Sequence, residues 1–474
     1  MFSRTLAADL PAHVGTTVRL AGWVHRRRAL KSVTFLVIRD RSGMAQVVVA
    51  AHPRRTEMPP PSLGGRPRSI LSAAPDETGG KAAERPNGPQ LGHAVDNSAD
   101  GTELPPRPFN SNETQESRQP HHPPLTEETV IEVTGRVVAN PQAPQGVEVV
   151  SPEIRVLSEP SRRPPFDLYR PTIPATLPAV LDHAAVALRH PELKRRHEIA
   201  AAGVKAFRAA LDSRGFTEVH TPKIVATSTE SGANVFEIDY FGKPAYLAQS
   251  PQLFKQVLVG VFERVYEVGP VFRAEPHDTA RHLAQYTSLD AELGFITDHR
   301  DVMAVLRDVV AEMAQAVELR VPEEIPGIDF AEAQAMLHKD EPDLDPEDER
   351  RLGEWAKTAH GSEFLFVTGY PMAKRPFYTH PAPQDPAKSN SFDLLFRGLE
   401  LVTGGQRLHH HADYLAALGD EAANHRDYLA AFAHGMPPHG GFAIGLERWV
   451  ARVLEVPNIR GTTLFPRDLH RLRP

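Results

Sequence analysis

Between residues 16 and 50, apolar and polar positions alternate: "TTVRLAGWVHRRR" is followed by "SVTFLVIRDRSGMAQVVVA". A period of two belongs to strands with one buried face, and "RDRSG" has the composition of a turn. The alternation resumes in "ETVIEVTGRVVANPQAPQGVEVVSPEIRVLSEP". The two pieces predict about five short strands, enough for a small barrel. Between them, residues 53–124 hold 14 of the 44 prolines, with Gly, Ser, Asn and His and few large apolar side chains. Such a stretch cannot build a core, which predicts a disordered insertion in a barrel loop. A proline-rich tract that binds a partner is the alternative.

After "SRRPPFDLYRPTIPATLP" the period changes. "ELKRRHEIAAAGVKAFRAALDSRGF" carries apolar residues at helical spacing and predicts an amphipathic helix ending at Gly215. Strands and helices then mix irregularly to the C-terminus. Without regular βαβ alternation, a doubly wound parallel sheet is not expected. The pattern divides the chain into a barrel domain over 1–158, a linker over 159–180 and a second domain over 181–474. No internal repeat is present.

Composition changes this picture little. At 474 residues the chain is too long for one core, and 41% hydrophobic with 24% charged residues is ordinary for a globular protein. The absence of cysteine excludes disulfides and thiolate metal sites. No apolar run of about 20 residues is available to span a membrane. The N-terminal stretch lacks the apolar centre of a signal peptide, so a cytoplasmic location is expected. A net charge of −7 argues against a uniformly basic nucleic-acid coat but leaves room for a local basic patch. The G-x-x-x-x-G-K-[ST], G-x-G-x-x-G and HExxH motifs are all missing, so any use of ATP needs another fold.

The densest chemistry lies in "VFRAEPHDTARHLAQYTSLDAEL", residues 271–293. If its ends are strands, Arg273 and Glu275 share one face, as do Asp290 and Glu292. Taken alone, these charges equally suit a solvated ion-pair ladder. Three segments together change the balance. "GFTEVHTPKI", "VFRAEPHDTARHLAQYTSLDAEL" and "GGFAIGLERWVARVLEVPNIRGTTLFPRD" resemble, in order, the three signature motifs of class II aminoacyl-tRNA synthetases. "YLAQSPQLFKQ", "YTSLD" and "GLELVTGGQRLH" resemble the archaeal-type aspartyl enzymes of subgroup b. The resemblance covers the whole chain outside about 53–124. It implies an α+β protein, with an N-terminal OB-fold β-barrel that binds the anticodon and a class II antiparallel-sheet catalytic domain with flanking helices.

That resemblance implies an ATP- and Mg²⁺-dependent ligase. Arg273 would hold the α-phosphate, where negative charge grows when a carboxylate attacks phosphorus; a planar, permanently charged guanidinium suits that task. Glu275 would accept from the adenine amino group or meet the acceptor end of the tRNA. Arg281 and His282 would reach the outer phosphates, Tyr286 would lie against adenine, and Arg448 would clamp ATP from the other side. Arg273, Glu275 and Arg448 form the implied catalytic set. Glu400 and Thr403 resemble the pair of oxygen ligands to magnesium. The glycines of "GGFAIGLER" are expected where a ligand approaches the backbone closely, although alone they also suit a turn; Ala443 stands where the family often has Gly.

The same resemblance implies an aspartate pocket. Lys255 and Arg407 would bind the side-chain carboxylate, and Glu230, Gln252 and Asp290 would hold the ammonium and orient the substrate. Two cations have no use in an asparagine pocket, which favours aspartate over the asparaginyl alternative. In "HHH" at 409–411 only His409 matches the family pattern, and adjacent histidines rarely converge on one ion. In the barrel, "HRRR" at 25–28 supplies charge for phosphates. Phe35 offers a stacking face, or is barrel core, and Gln46 would read a base edge. His25 and Pro144 resemble the pair carried by enzymes that charge both tRNA(Asp) and tRNA(Asn). The helix before Gly215 and the strand at "EVHTPKI" imply a homodimer. Rival readings are an amide ligase and a non-catalytic tRNA binder; the first usually lacks the barrel, and the second does not need the competent residues found here.

Overall fold

A computed structural model describes residues 3–50, 125–227 and 234–473. The expected disordered insertion at 53–124 and Glu230 lie outside the described residues. The chain divides into two compact units, 1–161 and 162–474.

The first unit is a closed barrel of β1 (Thr17–Ala29), β2 (Val33–Arg39), β3 (Met44–Ala50), β4 (Val130–Ala139) and β5 (Val147–Ser158), in the order β1-β2-β3-β5-β4. The alternation puts Val18, Leu20, Leu36, Ile38, Val47, Ile131, Val133 and Val149 inside. The "RDRSG" turn is held by Asp40, whose carboxylate accepts from Ser42 N and Ala7 N at 2.8 Å and from Gly43 N at 3.1 Å. Burial opposes ionisation of Asp40, but these donors outweigh it and hold its pKa below the usual carboxyl value. β1 is irregular at His25: Val24 pairs with Ile38 and Arg26 already with Val37, so His25 is the extra residue of a bulge.

In the second unit, the predicted helix runs Pro191–Asp212 and ends ahead of Gly215, which turns at φ +77°. Phe207, Ala210 and Leu211 form its buried stripe. It packs against the helix His299–Gln315, whose first turn is capped by Asp298. An eight-stranded sheet follows. Its members are β6 (Thr217–Glu218), β10 (Arg264–Phe272), β11 (Gln285–Gly294), β12 (Gly327–Asp329), β13 (Phe364–Thr368), β16 (Ser391–Phe396), β17 (Glu400–Gln406) and β18 (His439–Gly445). Between them come a small sheet of β7 (Ile224–Val225), β8 (Glu237–Tyr240) and β9 (Lys243–Leu247), and a ribbon of β14 (Pro381–Ala382) and β15 (Asp385–Ser389).

The sheet order is β12-β13-β16-β17-β18-β11-β10-β6. Only the outer pairs β12·β13 and β10·β6 are parallel; the centre is antiparallel, as the irregular element order predicts. The two helices cover one face, burying Phe207, Val309, Met313, Phe392, Phe442, Ile444 and Trp449. Strand periodicity does not account for Arg273 and Glu275. β10 stops at Phe272, so Arg273 and Glu275 lie beyond it, and only Asp290 and Glu292 owe their common face to strand periodicity.

Candidate functional site

Arg273 and Glu275 nevertheless converge, because the chain leaving β10 stays tied to the chain entering β11: Arg273 N donates to Ala284 O at 2.9 Å. Arg273 Nη1 is 3.9 Å from Glu275 Oε1, and its guanidinium stands 5.6 Å from the centre of the Tyr286 ring. Glu275 Oε2 lies 3.4 Å from His282 Nε2, and Thr279 Oγ1 fixes the other ring nitrogen at 2.7 Å. Burial lowers the His282 pKa, with help from Arg448, His277 and Arg281 and against Glu275, which favours a neutral imidazole at neutral pH. Arg273, Glu275, His282 and Tyr286, with Arg281, Glu400, Thr403, Gly445 and Arg448, line one pocket of about 270 Å³.

Glu400 and Thr403 are three apart, which in a regular strand would put them on opposite faces. A bulge at Leu401 removes the conflict: Leu394 pairs with Val402 and Leu395 with Glu400. Leu401 and Val402 both turn inward, and Glu400 and Thr403 meet on the pocket side, with Thr403 Oγ1 3.4 Å from Glu400 Oε1. Arg448, on the helix Leu446–Val453, donates to Glu400 O at 2.9 Å and Oε1 at 3.1 Å. Burial would raise the Glu400 pKa, but Arg448, Arg375 and Arg273 outweigh it and keep the carboxylate ionised. Two adjacent hard oxygen donors suit magnesium, which would take its other ligands from phosphates and water. Among the described residues, no cluster of three or more His, Asp or Glu side chains is arranged to hold a metal by itself. In the "HHH" run the rings of His409 and His410 lie 4.0 Å apart, and burial beside other histidines pulls His409 down to about 4.

A second cluster sits across β11 and β18. Gln252 and Lys255 lie one helical turn apart on the buried face of the helix Gln252–Phe262. Lys255 Nζ reaches Asp290 Oδ1 at 3.1 Å and Glu292 Oε2 at 3.4 Å. Arg407 reaches Glu292 Oε1 at 3.0 Å and Gln252 Oε1 at 3.4 Å. The structure thus brings Gln252, Lys255, Asp290 and Arg407 together, around a fifth residue with no assigned role, Glu292. Glu292 is fully buried, and Arg407 and Lys255 hold its pKa down against the cost of burial. Among the described residues, Asp290 Oδ2 and Gln252 Nε2 are buried without a hydrogen-bond partner.

The glycine pair lies in a strand and not in a turn, and each glycine leaves room for a packed neighbour. Gly440 and Gly441 are mid-strand in β18, where a Cβ on Gly441 would stand 2.0 Å from Glu292 Oε2 and one on Gly440 2.6 Å from Gly405 O. Gly445, at the strand's end, does line the pocket.

Residues 178–469 match the family model for class II tRNA synthetases (D, K and N), and residues 18–58 match that for OB-fold nucleic-acid-binding domains. The chain belongs to the class II tRNA synthetases. It is 39% identical to the aspartate–tRNA(Asp/Asn) ligase of Thermus thermophilus, over 99% of this chain and 100% of that one. It is 34% identical to the aspartate–tRNA(Asp) ligase of Thermococcus kodakarensis, over 97% of each. Among solved structures it is similar to asparaginyl-tRNA synthetase from Pyrococcus horikoshii complexed with asparaginyl-adenylate. There the TM-score is 0.79 and the identity 28%, covering 100% of both chains.

In this synthetase one outer face of the barrel mixes cationic, apolar and amide side chains. Because of the bulge at His25, Arg26 stands opposite Val37 and Arg28 opposite Phe35. Val37 in turn faces Gln46, and Phe35 faces Val48. Phe35 is half-buried on this outer face, outside the barrel core of Leu36 and Ile38. Gln46 Nε2 donates to Glu148 Oε2 at 2.8 Å, and Asn140 Nδ2 donates to the same oxygen at 2.8 Å. Pro144 opens a tight turn of the 140–146 loop, in which Gln145 and Gly146 take φ +60° and +73°. His25 is placed differently. Its ring is buried, with Nδ1 3.1 Å from Arg39 Nη1, and Arg39 also pairs with Glu128 at 3.0 Å.

Four acids at these sites take no role from the motifs: Glu292, Glu148, Glu349 and Glu447. Strand alternation flags the first two, next to Asp290 and across from Gln46. Glu447 lies in the third signature segment beside Arg448, whereas Glu349 sits in a polar helix and carries no local signal.

Proposed function

We propose that this chain activates L-aspartate with ATP and Mg²⁺ to aspartyl-adenylate and transfers it to the 3′ end of tRNA(Asp). In this reading the α-carboxylate of aspartate attacks the α-phosphorus and pyrophosphate leaves. Arg273 and Arg448 meet the charge that grows on the phosphoryl oxygens, where fixed cations lower the barrier most. Tyr286 and Glu275 take the adenine, and Arg281 and His282 the outer phosphates. Magnesium at Glu400 and Thr403 would supply charge neutralisation on the phosphates.

The observation that carries the choice of amino acid is the buried cluster. Lys255 and Arg407 are two cations for a side-chain carboxylate, and the unpartnered Asp290 Oδ2 and Gln252 Nε2 suit an ammonium and a carboxylate oxygen. Glu230 completes this set by resemblance. Aspartate-dependent exchange of labelled pyrophosphate into ATP tests it. Exchange that runs with asparagine and not aspartate would favour the asparaginyl reading, which the likeness to the Pyrococcus enzyme keeps in view.

We also propose that the synthetase charges tRNA(Asn), as a cytoplasmic homodimer. Pro144 withdraws a backbone donor beside the outer face of the barrel, and relatives named for both tRNAs support the reading. Phe35 and Gln46 suit stacking on and edge-reading of an anticodon base. Among the described residues, no helix is long and apolar enough to cross a membrane. Matched transcripts of the two tRNAs decide the specificity. An asparagine transcript charged about a thousandfold less efficiently than the aspartate one, a difference of about 4 kcal/mol, would show discrimination.

A further inference from the structure

One wall of the ATP pocket rests on a helix that belongs to none of the three signature motifs. The helix Pro346–His360 begins on a capping box, in which Asp345 accepts from Glu347 N and Asp348 N, and Asp348 accepts from Asp345 N. It lies directly on the turn between β16 and β17. A Cβ on Gly353 would stand 2.7 Å from Gly398 Cα, and Gly398 turns at φ +67°. This close approach brings Glu349 beneath the first residue of β17.

The Glu349 side chain is buried, and its Oε2 accepts two hydrogen bonds. One comes from the backbone N–H of Glu400 at 2.9 Å, and the other from the guanidinium of Arg281. A single oxygen therefore joins the loop after β10 to the start of β17, across sequence separations of 68 and 51 residues. Both partners line the pocket; Glu349 does not.

We propose that Glu349 is a positioning residue for the phosphate end of the nucleotide. It fixes the direction of Arg281 and the placement of Glu400 while touching neither ATP nor metal. A long arginine on a loop loses side-chain entropy when it meets a phosphate. An arginine already anchored by one of its five donors has lost much of that freedom beforehand, with other donors left to face the ligand. The inference rests on reading the pocket as the ATP site.

Calorimetric binding of a non-hydrolysable ATP analogue with magnesium tests it. Glu349→Gln should weaken binding about tenfold, and Arg281→Ala by at least as much. The double variant should bind more tightly than the product of the two single effects predicts, since part of the Glu349 effect passes through Arg281 and only the part exerted on Glu400 adds to Arg281→Ala. Wild-type affinity in Glu349→Gln, or two effects that multiply, would overturn the proposal. Should Glu349→Gln fail to fold, Glu349→Asp keeps the charge, shortens the reach and is read the same way. In steady state the KM for ATP should rise while that for aspartate stays fixed; a purely structural defect would lower kcat and leave the affinity of the folded fraction unchanged. Calorimetry needs no amino acid, so a wild-type protein that binds the nucleotide but does not activate aspartate would count against the proposed substrate alone.

Discussion

Lys255 Nζ lies 3.1 Å from Asp290 Oδ1, and both side chains are only 2% exposed. Removing one member of a buried ion pair leaves the other uncompensated, which typically costs about 3–5 kcal/mol. Lys255→Ala exposes two acids to this penalty, Asp290 and Glu292. It should lower the unfolding free energy by about 3 kcal/mol in a denaturant titration and abolish aspartate-dependent pyrophosphate exchange. Wild-type stability in this variant would show that the cluster is wetter than described.

Arg273 and Arg448 both line the pocket and are partly exposed, so neither holds the fold together. Arg273→Ala and Arg448→Ala should each slow pyrophosphate exchange about a hundredfold, or roughly 3 kcal/mol of transition-state stabilisation. Their melting temperatures should stay close to that of the wild type. Exchange at near wild-type rate in either variant would remove that arginine from the catalytic set.

Gly441→Ala and Gly215→Ala separate two reasons for a glycine. At Gly441 a Cβ meets Glu292 Oε2 at 2.0 Å and Ala291 O at 2.1 Å, and neither the strand nor the buried carboxylate has room to yield. This substitution should cost about 3 kcal/mol or more and reduce soluble yield. At Gly215 nothing lies within 4 Å and only the φ of +77° opposes a side chain, for a cost of about 1 kcal/mol. Equal melting temperatures for the two variants would contradict the packing described for Glu292.

Glu447 should shape the pH dependence of stability. Burial pushes its pKa up to about 7, despite the N–H of Thr287 donating to both carboxylate oxygens. With the folded pKa above the unfolded one, the folded state holds the proton more tightly. The resulting stability is complete below the ordinary carboxyl range and is lost as pH rises to about 7. Measured against Glu447→Gln at each pH, the wild type should lose up to about 3 kcal/mol across this window and change little above it. A difference that does not vary with pH would mean that Glu447 ionises as freely as an exposed carboxyl.

The sequence by itself determined the elements and the family. Period-two alternation over 16–50 and 128–158 is a local property, and it became five barrel strands. The amphipathic stretch before Gly215 became the helix Pro191–Asp212. The ordered motifs and the segment around Glu400 singled out Arg273, Glu275, Arg281, His282, Tyr286, Glu400, Thr403 and Arg448, and the fold gathers all eight around one pocket. Three things were decided only in three dimensions. The bulges at His25 and Leu401 depend on a partner strand accepting one residue fewer, and they aim Arg26 and bring Glu400 to Thr403. The packing that calls for glycine at 440 and 441 shows only once Glu292 and Gly405 are seen against them. Glu349 is one acid among many in a polar helix, and nothing local distinguishes it. It matters because Gly353 and Gly398 allow a helix to touch a turn, and contacts between residues so far apart in sequence are settled by packing rather than by the pattern of either segment.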